Sequence, residues 1–187
     1  FKAGAKKVLP LYNTDLVKGV ILDWAENKAI ARTEKLTIQH FMDARGACFT
    51  GHSHREPEKE RYKDILNMCD VLFDNLSAWK STSNYLQIVV AKFSSQEMYI
   101  KNKIYTIQKN GQKVSPDKKI LYAFEKFGFI KDLKLTQEHM SFCFCSATDK
   151  QYVINYGIWL ELFVYIHAKN SGAFDDVRLG ALIDWNA

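Results

Sequence analysis

An almost uninterrupted apolar segment, residues 149–169, constrains the fold of this sequence more than any other feature. Between residues 152 and 166 its only charged side chain is Glu161, and its apolar residues lie on every side of a helical wheel. A helix that is apolar all round is normally buried in a core. We therefore predict a helix over 149–169, covered by a sheet that begins with the alternating run from Phe174 to Trp185.

Two amphipathic helices are predicted upstream of this segment. From residue 58 to 75, apolar side chains recur every three or four residues while charges occupy the opposite side, and a similar pattern covers 77–93. Pro57 suits the start of the first helix. We expect the two helices to pack against each other as an antiparallel pair.

A third helix is followed by two extended runs. Pro116 opens a helix over about 116–127, and the runs Phe129 to Leu135 and His139 to Cys145 come after it. A helix followed by a hairpin is typical of the closing half of a winged helix. The sequence thus predicts an α+β fold with a winged-helix-like middle region, preceded by a β-like run over 98–108.

The N-terminal part is predicted to contain a strand pair and one short helix. Extended runs cover Val8 to Tyr12 and Val17 to Leu22 with a turn at residues 13–15, and apolar spacing favours a helix over 37–45. No apolar run approaches the about 20 residues that a membrane span needs. The four cysteines follow no secreted pattern, so we expect a soluble, cytoplasmic protein with reduced, buried thiols.

The net charge of +5 comes from one basic segment. Residues 101–135 contain nine lysines and three acids, whereas basic and acidic residues nearly balance in the rest of the chain. Such a segment favours polyanions, and a merely solvated face is the alternative. The predicted nucleic-acid contacts lie on the third helix and the hairpin: Lys118, Lys119, Lys126, Lys131 and Lys134.

Few residues are candidates for catalysis or metal binding. Glu161 lies inside the apolar helix above Gly157, so we expect its carboxylate to be paired with a cation such as Arg178, hydrogen-bonded, or bound to a metal. Asp175 and Asp176 adjoin one another on a predicted strand, so at most one of them faces the same site as Glu161. His52 and His54 lack the third ligand of a convincing zinc site, and a zinc enzyme built on them and the thiols is the least favoured alternative.

One family resemblance covers nearly the whole chain. The runs Tyr156-Gly157-Ile158-Trp159-Leu160-Glu161, Phe174-Asp175-Asp176-Val177-Arg178 and Ile183-Asp184-Trp185-Asn186 resemble a prokaryotic family long catalogued as a domain of unknown function. Its better-understood members are CRISPR-associated ancillary nucleases. The Gly-x-Trp-Leu-Glu and Asp-Asp-Val-Arg motifs are the most specific part of the likeness.

The resemblance implies a domain order and an activity. Residues 1–30 would be the tail of a CARF sensor domain or its connector, 31–147 the winged-helix-like middle domain, and 148–187 the first helix and strand of a restriction-endonuclease-like domain of the PD-(D/E)xK type. Members resemble homodimers that cut nucleic acid with Mn²⁺ or Mg²⁺ when cyclic oligoadenylate occupies the sensor. The core Asp and the Glu-x-Lys would lie beyond Ala187, which leaves Glu161 in a supporting role and no metal expected on this segment.

Two hypotheses of different class follow. The first is an internal fragment of a cyclic-oligoadenylate-activated nuclease in CRISPR immunity, itself inactive, which self-associates through Trp159, Leu162, Phe163 and Ile166. The second is a non-catalytic winged-helix module for nucleic-acid binding or dimerisation.

Overall fold

The computed structural model describes residues 11–15, 18–23, 28–32, 37–39, 42, 46–108 and 111–185. Contacts between residues divide the chain into two compact units, Phe1–Cys48 with Asp184–Ala187, and Phe49–Ile183. Helices and small antiparallel sheets occur together, which confirms the α+β class. None of the described helices is long and apolar enough to cross a membrane.

The first unit contains a three-stranded antiparallel sheet. Strands β1 (Leu11–Asp15), β2 (Lys18–Asp23) and β3 (Lys28–Arg32) pair in that order. The antiparallel β1–β2 pair confirms the predicted strand pair, but the turn predicted at 13–15 is wrong, because Asn13 and Asp15 pair with β2 inside β1, and a third strand follows. Residues 8–10 and 17 of the predicted runs lie outside the described residues. Of the predicted helix 37–45, Ile38, Gln39 and Met42 are helical, and the rest lies outside the described residues.

The second unit contains the described helices with complete bounds and most of the strands. The helices are α1 (Tyr62–Phe73, after a 3-10 turn at Lys59–Arg61), α2 (Leu76–Val90), α3 (Lys118–Lys126), α4 (Ala147–Ile154) and α5 (Ile158–Ser171). The strands are β4 (Cys48–His52), β5 (Tyr99–Lys103), β6 (Thr106–Ile107), β7 (Lys113–Val114), β8 (Ile130–Leu135), β9 (His139–Phe144) and β10 (Ala181–Asp184). The predicted helices 58–75, 77–93 and 116–127 and the two strands of the predicted hairpin are confirmed to within a few residues.

One aromatic core joins the helices of this unit. The ring of Phe124 on α3 lies 5.7 Å from that of Trp79 on α2 and 5.8 Å from that of Trp159 on α5. All three side chains are buried, and the same cluster includes the inner face of the sheet. Residues on both sides of position 148 share this core, so the packing has no break there; the domain boundaries near 30 and 148 stay predictions.

The predicted single helix over 149–169 is wrong, because the chain leaves the helical conformation after Ile154. Asn155 is extended (φ −100°, ψ 114°), and its Oδ1 accepts a hydrogen bond from the Gly157 amide at 3.1 Å. An asparagine side chain that bonds to the nearby backbone in this way competes with the helical ladder. The second helix, α5, ends at Gly172, which adopts the left-handed conformation (φ 64°).

The break determines which side of α5 is buried. Trp159, Leu162 and Ile166 lie in the core, and α5 packs on α1. The covering element is therefore a helix and not the predicted sheet, since the run after Phe174 becomes a strand only at Ala181, where it pairs with β4. The expectation that these residues form an exposed surface for self-association is wrong, since Trp159, Leu162 and Ile166 are buried and Phe163 packs against the core; the exposed large apolar residues of α5 are Leu160 and Val164.

The sheet that carries Lys101, Lys103, Lys131 and Lys134 has the order β5-β9-β8. Both pairings are antiparallel, and β9 lies in the centre. Its inner face packs into the core through Ile100, Phe142 and Phe144. Helix α3, which precedes β8, packs against β8 on this inner side.

Candidate nucleic-acid interface

All five predicted lysines are exposed, and three of them lie on α3. Lys118, Tyr122 and Lys126 follow one another at four-residue steps and form one exposed stripe along the helix. Lys119 lies beside it, with its Nζ 3.5 Å from Oδ1 of Asn75. The stripe therefore presents two ammonium groups with an exposed tyrosine ring between them.

The acidic side chains of α3 and its N-cap accept hydrogen bonds from the backbone. Asp117 is the N-cap, and its Oδ1 accepts the amide of Ile120 at 3.1 Å. The Oε1 atom of Glu125 accepts the amide of Leu133 on β8 at 2.8 Å. Both carboxylates keep their charge, but three lysines outnumber them, so α3 with its N-cap has a net charge of +1 (3 − 2).

The Glu125 contact holds a β-bulge in β8. Lys131 is paired with Cys143 and Lys134 with Ser141, so two residues on β8, Asp132 and Leu133, lie opposite the single Phe142 on β9. Asp132 has a positive φ of 57°. An extra residue of this kind shifts the alternation of side chains along a strand. As a result Lys134 lies on the same face as Lys131, while Leu133 packs against the core.

Two further lysines occupy this face. On β5, Lys101 is paired with Ser141 and Lys103 with His139, while Ile100 between Tyr99 and Lys101 points into the core. Successive side chains on a strand point to opposite sides, so Tyr99, Lys101 and Lys103 face away from the core. We call the outer sheet face the surface formed by Tyr99, Lys101, Lys103, Lys131, Lys134, His139, Ser141 and Cys143.

The five predicted lysines consequently fall into two groups. Lys118, Lys119 and Lys126 lie on the exposed side of α3, which packs on the inner side of the sheet, whereas Lys131 and Lys134 lie on the outer sheet face. Lys101 and Lys103 are not among the five lysines predicted from the sequence. The available signal was the alternation of Tyr99, Lys101 and Lys103 around Ile100, which predicts one basic face.

Glu161 is exposed, which contradicts the expectation of a constrained carboxylate. It lies on an open groove of about 310 Å³ that Val164, Arg178 and Gly180 also line. Within residues 46–108 and 111–185, Glu161 has no ion-pair partner, since Arg178 pairs with Asp176 (Nε to Oδ1, 2.9 Å). Exposure removes the need for a partner, because water solvates the charge.

The other candidate ligands do not form a metal site in the described part of the chain. Asp175 and Asp176 lie before β10 and not on a strand. The Nδ1 atom of His52 is 2.9 Å from the carbonyl of Leu179. No group of three or more His, Cys, Asp or Glu side chains among the described residues has the arrangement needed to hold a metal ion.

The four cysteines are free, but they are not all buried as predicted. Cys69 is buried, Cys143 is half-buried, and Cys48 and Cys145 are exposed. Burial, with a smaller contribution from Asp70, raises the pKa of the Cys69 thiol to about 12. Cys69 is thus held as a neutral thiol, and its Sγ lies 3.4 Å from the carbonyl of Trp159.

Arg61 is cationic, but its guanidinium is used within the fold. It donates to the carbonyls of Phe127 (3.0 Å) and Gly128 (3.2 Å) at the end of α3, and to Oδ1 of Asp149 on α4 (3.2 Å). Its Cζ lies 4.7 Å from the centroid of the Phe129 ring. Arg61 therefore connects three helices and is not a free anion ligand.

Comparisons with protein-family models, with curated proteins and with solved structures found no match to this chain.

Proposed function

We propose that the Phe49–Ile183 unit is a nucleic-acid-binding module of winged-helix type, in which α3 and the β8–β9 hairpin contact the phosphates. The observation that carries this proposal is the placement of exposed lysines on a helix and on the hairpin that directly follows it. Of the nearby acids, Asp117 and Glu125 accept backbone amides and not lysine ammonium groups, while the exposed Asp132 lies between Lys131 and Lys134 on β8, so the lysines outnumber the acids on these two elements.

Binding through either group of lysines, on α3 or on the outer sheet face, would be mainly electrostatic. Each lysine that neutralises a phosphate releases counterions, so the affinity falls as the salt concentration rises, with a slope of about 0.9 per contact on duplex DNA. The strand order β5-β9-β8 supports the winged-helix assignment, because the hairpin after α3 adds its second strand beside a strand from earlier in the chain. This role corresponds to the non-catalytic hypothesis.

The resemblance adds a proposal about the longer protein. In it, the region from residue 148 begins a restriction-endonuclease-like domain of a cytoplasmic, homodimeric CRISPR-associated nuclease that is activated by cyclic oligoadenylate. Mn²⁺ or Mg²⁺ would polarise the scissile phosphate and activate water there. The motif from Gly157 to Glu161 supports this proposal, and the exposure of Glu161 leaves its carboxylate accessible for a supporting role.

The binding proposal is tested by the salt dependence of affinity for a duplex of 20 base pairs between 50 and 200 mM NaCl. One variant replaces the five predicted lysines by Gln. The matched control makes the same charge change at five exposed lysines outside α3 and the sheet: Lys59, Lys63, Lys80, Lys92 and Lys169. If all five predicted lysines contact phosphate, the slope of log K against log salt falls by about 4 in the first variant.

Two outcomes contradict the proposal. Equal losses of affinity in both variants would mean that net charge alone attracts the duplex, and an unchanged slope in the first would mean that its lysines are only solvated.

The nuclease proposal has its own test, since the 187-residue chain is expected to leave nucleic acid intact with either metal. Cleavage that depends on metal and is lost in Glu161→Ala would show that this chain holds a complete site.

A further inference from the structure

We propose that the outer sheet face binds a single unpaired strand of nucleic acid, with Tyr99 as the surface on which a base stacks. This inference rests on the proposed function and deepens it, because it names the form of nucleic acid and adds residues to the site. Its starting observation is that four lysines and one exposed aromatic ring share one face of a three-stranded sheet.

The lysines form two rows with a channel between them. Lys101 and Lys103 are two residues apart on β5 and therefore stand about 7 Å apart. Lys131 and Lys134 occupy β8, on the other side of β9, and the two outer strands are about 10 Å apart. The residues of β9 between the rows are the exposed His139, the half-buried Cys143 and Ser141, which is only 7% exposed, and none of them is acidic.

This arrangement suits a flexible polyanion that lies along β9. Lys101 and Lys134 both oppose Ser141, so the positive charges face each other across a small side chain. The two ammonium groups are too far apart to repel each other strongly, but β9 places no counter-charge between them. A phosphodiester strand in the channel would supply such charges to both rows along its length.

Tyr99 provides the contact that distinguishes nucleic acid from other polyanions. Its side chain is 50% exposed, and it is in register with Cys143, which is in turn paired with Lys131. Among the described residues, no aromatic ring packs against it. An exposed aromatic ring among lysines is the arrangement by which proteins bind single strands, since bases stack on the ring irrespective of sequence.

The shape of the surface favours a single strand over a duplex. The major groove admits a helix or a two-stranded ribbon, whereas the outer sheet face is a surface three strands wide. In a duplex the faces of the bases are stacked on one another and cannot reach Tyr99. An acidic protein segment would neutralise the lysines but would offer no base to the ring.

The test compares a single-stranded oligonucleotide of 12 residues that contains 2-aminopurine with its duplex, using fluorescence anisotropy and the 2-aminopurine intensity. Tyr99→Leu is expected to weaken single-strand binding about fivefold to a hundredfold, the range measured for loss of one stacked base. It should also abolish the quenching of 2-aminopurine on binding. Tyr99→Phe keeps the ring and should retain both signals.

Matched controls come from the loop before β10 and from α3. Phe174 is 62% exposed and lies outside α3 and the sheet, so Phe174→Leu removes an accessible ring from a different surface and should leave single-strand affinity unchanged. The double variant Lys101→Gln with Lys103→Gln should weaken the single strand more than the duplex. Lys118→Gln with Lys119→Gln makes the same charge change on α3 and should weaken duplex binding more than single-strand binding.

Three results overturn the inference. If Tyr99→Leu and the β5 double variant bind single strands as the wild type does while the α3 double variant loses duplex affinity, the inference is wrong and the proposed function stands. If the wild type binds neither form, the proposed function itself fails. If polyglutamate binds as tightly as the oligonucleotide and no quenching occurs, the surface recognises acidic protein.

Discussion

Replacing Arg61 by Met tests whether one guanidinium holds the helices of the Phe49–Ile183 unit together. Methionine retains an unbranched apolar stem that can still pack on the Phe129 ring, but it has no donors. The variant therefore loses the bonds to the carbonyls of Phe127 and Gly128 and leaves Asp149 without its cation. The Asp149 side chain is only 12% exposed, so water solvates its charge poorly.

The expected loss of stability is about 3 kcal/mol. Hydrogen bonds to charged groups each contribute about 1.5–3 kcal/mol, and about 1 kcal/mol is a fair value for each of the three bonds because the Arg61 side chain is 32% exposed. Its pair with Asp64 at 3.4 Å is more exposed and adds little. For a chain of this size, about 3 kcal/mol corresponds to a fall in Tm of about 6–12 °C.

Urea and thermal unfolding followed by circular dichroism measure this loss. The matched control is Arg55→Met, because Arg55 pairs with Glu58 at the same 3.4 Å but both side chains are 73% exposed. The control should change stability by less than about 0.5 kcal/mol. If Arg61→Met costs no more than the control, the guanidinium does not stabilise the packing of α1, α3 and α4, and the argument from hydrogen bonds is refuted.

Two further predictions concern backbone geometry and pH. Gly180→Ala should cost at least about 1 kcal/mol more than Gly172→Ala in urea unfolding. Both glycines have positive φ, but an added Cβ at Gly180 would clash with Ser53 Oγ and lie 3.1 Å from the His54 amide nitrogen, whereas nothing lies within 4 Å at Gly172. Equal losses of stability in the two variants would contradict this. Because burial raises the pKa of Cys69 from 9.0 to about 12, its contribution to stability is present below pH 9 and is lost as the pH rises from 9 to 12. The difference in unfolding free energy between wild type and Cys69→Ala should therefore shrink by about 1.4 kcal/mol per pH unit above pH 9. A difference that stays constant with pH would show that ionisation of the buried thiol does not control the loss of stability.

The amphipathic helices were predictable because their apolar spacing is a local property of the chain. In α1, Ile65, Cys69 and Leu72 recur at helical steps, and the structure buries all three. The hairpin β8–β9 was predictable for the same reason, since its alternation and turn residues lie within one short stretch. Exposure of the five predicted lysines also followed from sequence, because charged side chains are rarely buried without partners.

The side on which α5 is buried could not be predicted from its composition. With apolar residues all round, every orientation of the helix covers some apolar surface, so the pattern contains little information about which side faces inwards. The break at Asn155 and the packing on α1 decide this orientation. They bury Trp159 and leave Glu161 in solvent, and the exposure of Glu161 is the opposite of what a helix buried on all sides required.

The sequence by itself determined that this chain is basic between residues 101 and 135, and only the tertiary structure decided where that charge lies. Strict alternation from Ile130 would place Lys131 and Leu133 on one face and Lys134 on the other. The bulge reverses this, and it depends on a hydrogen bond from the Leu133 amide to Glu125, a residue on a different element. The pairing of β5 with β9 then brings Lys101 and Lys103 beside the lysines of β8. Residues about 30 positions apart meet because strand pairing is non-local, and no local pattern in the sequence specifies it.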